Sequence, residues 1–278
     1  MAEATAFREL DSAPLWPTGT PGAVGSGPED TPRITPFLPP CPTPTAAIIV
    51  CPGGGYCHLG AKEGAPAAQW LCSLGIAGLV LDYRVGPRYR HPAPLLDAQQ
   101  AVRLVRHRAG QWNVDHRRVG IMGFSAGGHL AVSAATIFEP PQPDSRNPIR
   151  RWSSRPDVFI ACYPVITFGP YRHEGTMLNL LGDGSDPKLQ QELSLENRVT
   201  PQTPPGFIWH TLEDPTVRVE NSLLLAGSLR RANVPFELHV FQSGVERHGI
   251  AMATDVPGVN WTEPCAAWLA KVGFMPPS

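Results

Sequence analysis

The sequence predicts an α/β fold, a mostly parallel central sheet with helices on both faces, and three observations carry that expectation. From residue 46 onward, apolar runs of strand length alternate with helix-length amphipathic stretches, the signature of a parallel sheet wrapped on both sides. The strand candidates are apolar throughout rather than at every second residue, as strands buried on both faces are. Finally, the run Arg118–Phe124 enters the turn Gly123-Phe124-Ser125-Ala126-Gly127, and a small-residue helical pattern (Ala126, Leu130, Ala131, Ala134, Ala135) leaves it.

A chain of 278 residues with 42% hydrophobic content can bury one large core, so a single domain over 1–278 is expected. The net charge of -1 gives no electrostatic footprint for nucleic acid or an anionic membrane and points to a small, weakly charged substrate. Composition is compatible with a homo-oligomer. The 32 prolines and 27 glycines fall mostly between the apolar runs and punctuate loops. The six cysteines form no Cys-x-x-Cys pair, and Cys51, Cys72, Cys162 and Cys265 sit inside apolar patterns. They read as buried thiols in a reducing compartment. Met1–Leu10 carries Glu3, Arg8 and Glu9 without an apolar core, which argues against a signal peptide. With no run approaching the ~20 apolar residues of a membrane span, a cytoplasmic location is expected.

Taken in order, Asp11–Pro44 is dense in Pro, Gly and Thr, so residues 1–44 read as an irregular arm with a short edge strand around Ile34, Phe37 and Leu38. Ala46–Cys51 is the first buried strand and ends in Pro52-Gly53-Gly54-Gly55-Tyr56. A helix over Gly64–Leu74 follows, with Ala67, Leu71 and Leu74 on one face, then a strand at Ile76–Asp82. In the connection Tyr83–Pro94, Arg84 is placed to pair with Asp97 and brace the loop. Leu95, Ala98, Val102 and Val105 step by three and four along a helix from Leu95 to Gln111 that leads into the Ser125 strand. Beyond a polar loop, Val158–Tyr163 is another strand, and residues 167–205 break the rhythm as an insertion near the site, with one small apolar cluster at Met177–Leu181 among charged residues. The pattern resumes with a strand at Phe207–His210, a helix at Val219–Ala232, a strand at Phe236–Phe241 and a C-terminal helix aligning Trp261, Cys265, Trp268 and Val272.

Ser125 is the candidate nucleophile, because Gly123 and Gly127 leave room for a sharp strand-to-helix turn that lifts its hydroxyl above the sheet. A serine needs a base to take its proton and an acid to orient that base. Parallel sheets gather such groups in the loops beyond their strand ends, and two loops carry them. Asp214, chosen over the adjacent Glu213, follows the Phe207 strand, and His248 follows the Phe236 strand. Of the other histidines, His210 and His239 read as satisfied core groups, His129 as pointing away from the serine, and His58, together with Tyr56, as a candidate substrate contact. The amide of Ala126 and the triple-glycine loop at Gly54 and Gly55 supply candidate oxyanion donors. No Gly-Lys-Ser/Thr follows that loop and no His or Cys set has ligand spacing, so neither a phosphate loop, a metal nor a cofactor is expected.

These motifs, together with Leu15-Trp16-Pro17, Asp82-Tyr83-Arg84, His91-Pro92-Ala93-Pro94, Gly123-Phe124-Ser125-Ala126-Gly127-Gly128-His129-Leu130, His210-Thr211-Leu212-Glu213-Asp214 and Val219-Glu220-Asn221-Ser222-Leu223, resemble the bacterial α/β-hydrolase acetyl esterases, including xylan acetylesterase-like members and the related hormone-sensitive-lipase-like carboxylesterases. The resemblance implies the α/β-hydrolase fold, hydrolysis of short-chain esters such as acetylated sugars, and the roles just given to Ser125, Asp214 and His248. Pro52 departs from it, standing where hormone-sensitive-lipase relatives carry a histidine. Two rival readings share the fold. A prolyl-oligopeptidase-type peptidase normally carries a large extra domain for which this chain has no room, and a non-catalytic ligand-binding relative would usually lack a member of the triad.

Overall fold

The computed structural model describes residues 7–243, 245–252 and 256–276. The first six residues, used above in reading the N-terminus, and Gly244, ahead of His248, lie outside the described residues. Among the described residues nine strands form one sheet: β1 (Arg8–Glu9), β2 (Ala13–Pro14), β3 (Arg33–Leu38), β4 (Thr45–Cys51), β5 (Ala77–Asp82), β6 (Val114–Phe124), β7 (Phe159–Cys162), β8 (Gly206–Thr211) and β9 (Phe236–Phe241). Their order is β1-β3-β5-β4-β6-β7-β8-β9, with β2 paired to β3. Every pairing from β5 through β4 to β9 is parallel, and β3 runs antiparallel to β5.

The helices are α1 (Ala65–Ser73), α2 (Ala93–His107), α3 (Ala126–Thr136), α4 (Glu174–Leu181), α5 (Pro187–Glu192), α6 (Glu220–Arg231) and α7 (Thr262–Lys271). Because alternate residues of a strand face opposite ways, β4 feeds two cores. Ala47, Ile49 and Cys51 join α2, α3 and α6 in one cluster, whereas Ala46, Ile48 and Val50 join α1 and α7 in the other. All seven β4 residues are buried, which is why the run carries no polar alternation.

Two expectations are corrected. The stretch 1–44 is not merely an irregular arm with an edge strand: it supplies β1, β2 and β3, and β3 lies inside the sheet. Pro36, which cannot donate to a ladder, falls between the short pairings of β1 with Leu38 and Phe37 and of β2 with Ile34 and Arg33. His239 is only half-buried, since β9 is the edge strand, and it stacks on Phe207 with Nε2 3.6 Å from Glu237. The insertion 167–205 folds into α4 and α5, and its apolar cluster turns inward: Met177 and Leu180 are buried and Leu178 is exposed.

The Arg84–Asp97 pair is buried and bidentate, with nitrogen-to-oxygen distances of 2.8 and 2.9 Å. Trp16 Nε1–H donates to the same carboxylate at 2.8 Å, so one buried acid ties the arm, the loop after β5 and α2 together. Asp97→Ala strands the guanidinium without its partner, and removing one member of a buried pair costs about 3–5 kcal/mol. Urea unfolding of this variant is expected to show a loss in that range; a loss below about 1 kcal/mol contradicts the bracing role.

Candidate active site

β6 ends at Phe124 and α3 begins at Ala126, so Ser125 alone makes the turn, at φ 54° and ψ -118°. A side chain at φ near +54° is strained, and neighbouring atoms leave it little freedom. A Cβ at Gly123 would lie 1.9 Å from the Gly127 carbonyl oxygen, and one at Gly127 would lie 2.1 Å from that of Cys51. The Ser125 N–H is bonded to the Cys162 carbonyl at 2.9 Å, locking the turn to β7.

Above it, the structure brings together the three residues that sequence reasoning selected. Ser125 Oγ is 2.9 Å from His248 Nε2, and His248 Nδ1 is 2.7 Å from Asp214 Oδ2. A carboxylate only accepts, so Nδ1 carries the proton and Nε2 is free to accept from the serine hydroxyl. Asp214 Oδ1 accepts the amides of Thr216 and Val217, each at 2.9 Å. Burial alone would raise the Asp214 pKa, but the His210 ring 3.6 Å away and bonds from His248 and the Val217 amide outweigh it and hold the group well below the ordinary carboxylate range. Glu213, the acid passed over, accepts from the Ser243 amide and hydroxyl at 3.0 and 3.1 Å and so braces the loop that leads to His248.

That loop is held by residues the sequence did not reveal. Ala251, three residues past His248, donates its N–H to Tyr163 Oη at 3.1 Å and accepts from Trp261 Nε1 at 2.8 Å. Tyr163 in turn donates to Glu63 Oε1 at 2.7 Å, and Glu63 Oε2 accepts the Gly53 amide at 2.6 Å. One buried carboxylate thus links the glycine loop to the His248 loop. Deleting it would leave two buried donors unpaired, at about 1–3 kcal/mol each.

The triad opens on a cavity of about 740 Å³ lined by Gly54, Gly55, Cys57, His58, Lys62, Glu63, His173, Asn179 and Thr216 among others. With the Gly53 amide committed to Glu63, Gly54 and Gly55 are the members of the triple-glycine run that line the cavity. Their φ values of 121° and 61° suit glycine, and a Cβ at Gly54 would sit 2.2 Å from the His58 carbonyl oxygen. Ala126 opens α3, where the first amides have no partner within the helix. Asn179 Nδ2 donates to the Gly55 carbonyl at 2.8 Å, so the insertion supports the loop.

Of the two candidate substrate contacts, His58 lines the cavity and Tyr56 does not. Its φ of 59° turns the ring under the loop, where it is buried and its hydroxyl donates to His129 Nδ1 at 3.0 Å. His129 faces away from Ser125 and donates from Nε2 to the Leu193 carbonyl at 3.0 Å, pinning the insertion to α3. His210 is a satisfied core group, bonded to Ser222 Oγ and the Val217 carbonyl at 2.8 Å each. Among the described residues, no group of three or more His, Cys, Asp or Glu is arranged to hold a metal, and no helix is long and apolar enough to cross a membrane. All six cysteines are free thiols; Cys51, Cys72, Cys162 and Cys265 are buried, and Cys57 is exposed in the cavity wall.

Burial lowers the His129 pKa to about 4 from the ordinary 6.5. The unfolded chain therefore takes up this proton as pH falls through 6.5, and the folded protein does not until about pH 4. Stability linked to His129 is complete above pH 6.5 and is lost at up to about 1.4 kcal/mol per pH unit below it. Urea unfolding at pH 6.5 and pH 5 should show a wild-type drop about 1.6 kcal/mol larger than that of His129→Gln. Equal drops contradict the buried neutral histidine.

The comparisons with known proteins agree with this architecture. The BD-FAE family model matches residues 37–229. The chain is 43% identical to the acetyl ester-xyloside bifunctional hydrolase of Caldicellulosiruptor lactoaceticus, superposing with a TM-score of 0.90 over 96% of this chain and 97% of that one. It is 36% identical to an acetylxylan esterase of Xylanibacter ruminicola and 39% identical to endo-1,4-beta-xylanase B of Butyrivibrio fibrisolvens, over 78% and 77% of this chain. It spans only 43% and 34% of the length of those two relatives. The chain belongs to the BD-FAE family, and its fold is that of the α/β-hydrolases its motifs resemble.

Proposed function

We propose that the protein is a serine ester hydrolase that cleaves short-chain, acetyl-type carboxylic esters, acetylated sugars or xylo-oligosaccharides among them, through an acyl-enzyme. The observation that carries this reading is the continuous relay Ser125 Oγ–His248–Asp214, at 2.9 and 2.7 Å, opening on the cavity that Gly54 and Gly55 line. His248 Nε2 takes the serine proton as Oγ attacks the ester carbonyl, and Asp214 holds the imidazolium that forms. The oxyanion develops toward the amides of Gly54 or Gly55 and of Ala126. Collapse breaks the bond to the alcohol, whose oxygen takes the proton from His248. Water, activated by the same imidazole, then releases the acid and restores Ser125.

The acetyl-type preference rests on the insertion. A lipase-like lid needs a contiguous exposed apolar surface, whereas Met177 and Leu180 are packed inward here and the exposed positions of the insertion include Arg172, Glu174, Asp183, Asp186 and Lys188. The names of the acetylxylan esterase and acetyl ester-xyloside hydrolase relatives support the same substrate class.

Ser125→Ala is expected to lower kcat/KM on p-nitrophenyl acetate by about 10³-fold or more while the protein stays folded; retained activity in the folded variant overturns the assignment. Across p-nitrophenyl esters, kcat/KM should be highest for acetyl and butyryl chains, with no rate jump above the solubility limit. Rates that climb toward long acyl chains, or activation at an oil–water interface, contradict the acetyl-type reading.

A further inference from the structure

His173 caps the first turn of α4, and its Nδ1 accepts the backbone N–H of Thr176 at 3.2 Å with Thr176 Oγ1 at 2.8 Å. A backbone N–H can only donate, so Nδ1 is unprotonated and the neutral ring carries its hydrogen on Nε2. Burial keeps the His173 pKa below the ordinary histidine range, so the ring is neutral at pH 7. The same side chain lines the cavity with Ser125, Thr216 and His248, and lies near enough to His248 and Asp214 for their charges to act on it.

The side of the cavity matters. The leaving oxygen must receive its proton from His248 Nε2, so the alcohol part of the ester occupies the space beside that imidazole. A second imidazole there, locked as an N–H donor by the helix it caps, meets the alcohol rather than the acyl group. We infer that His173 presents its Nε2–H to an oxygen of the alcohol part and so selects acetate esters of polyhydroxy alcohols over those of plain alkanols. An ethyl group has no acceptor to offer and would leave the donor unpaired, whereas a sugar offers neighbouring hydroxyl and ring oxygens. This inference rests on the ester-hydrolase reading above.

Two substitutions separate the halves of the ring's work. His173→Asn keeps a side-chain oxygen able to cap Thr176 but is too short to place a donor at the Nε2 position. His173→Gln places an amide N–H near that position and gives up the cap. The measurement is kcat/KM of the full chain for a monoacetylated methyl xyloside, for ethyl acetate and for p-nitrophenyl acetate, with thermal unfolding of each variant. The wild type is expected to favour the xyloside ester over ethyl acetate. His173→Asn should lose about tenfold on the xyloside ester, mainly through KM, and change less than about twofold on ethyl and p-nitrophenyl acetate. His173→Gln should regain most of the xyloside rate even if its unfolding temperature falls. A wild type without preference, an Asn variant that loses equally on all three esters, or one that loses on none overturns the inference. A folded wild type inactive even on p-nitrophenyl acetate instead overturns the hydrolase reading on which it stands.

Discussion

The arrangement depends on one crowded turn. Ser125 must leave β6 and enter α3 within a single residue, and it does so at a positive φ that an L-residue adopts only when its surroundings fix it. Those surroundings are mostly backbone atoms, with the Pro164 ring beside them. Gly123, Gly127 and Gly128 bring the strand, the helix and the Pro164 segment so close that a Cβ at any of them would lie 2.7 Å or less from a neighbouring atom. The turn in turn fixes where Oγ stands above the sheet, and therefore where every other group must be brought.

The surrounding loops answer that demand through buried polar bonds rather than apolar packing. Glu63 joins the glycine loop to Tyr163, Tyr163 joins β7 to the His248 loop, and Trp261 holds the same loop from α7. On the opposite side Tyr56 and His129 connect the glycine loop to α3 and the insertion, with the His129 ring stacked on Phe168 at 4.9 Å. Satisfied networks of this kind define one geometry and are costly to leave half-made. The loops beyond β4, β6, β7, β8 and β9 are thereby held as a unit at the C-terminal edge of the sheet, where such folds place their sites.

What could be read in the sequence was what local pattern encodes. The buried strands, the helices between them and the Gly-x-Ser-x-Gly turn follow from periodicity and steric need, and chain order beyond successive strands was enough to single out Asp214 and His248. Long-range contacts left no such trace. Glu63 sits in an ordinary Ala-Lys-Glu-Gly stretch, and nothing nearby announces that its carboxylate meets Tyr163, a hundred residues on. Tyr56 was misplaced because its position after three glycines suggests exposure, whereas its backbone turns the ring inward. Pro36 disguised β3 as an edge. His173 had no local signal, since histidine is not among the residues that usually cap helices, and only the fold places its ring in the cavity with His248.

The central claim is that this geometry makes Ser125 the nucleophile of an acyl-enzyme. Diethyl p-nitrophenyl phosphate reports on it directly, because an activated serine displaces p-nitrophenolate and keeps a diethyl phosphoryl group that intact-protein and peptide mass spectrometry can locate. The account predicts one label per chain, on the peptide containing Ser125, appearing in step with loss of esterase activity and absent when His248 is replaced by alanine. A label on any other residue, or full loss of activity with Ser125 unmodified, would contradict it.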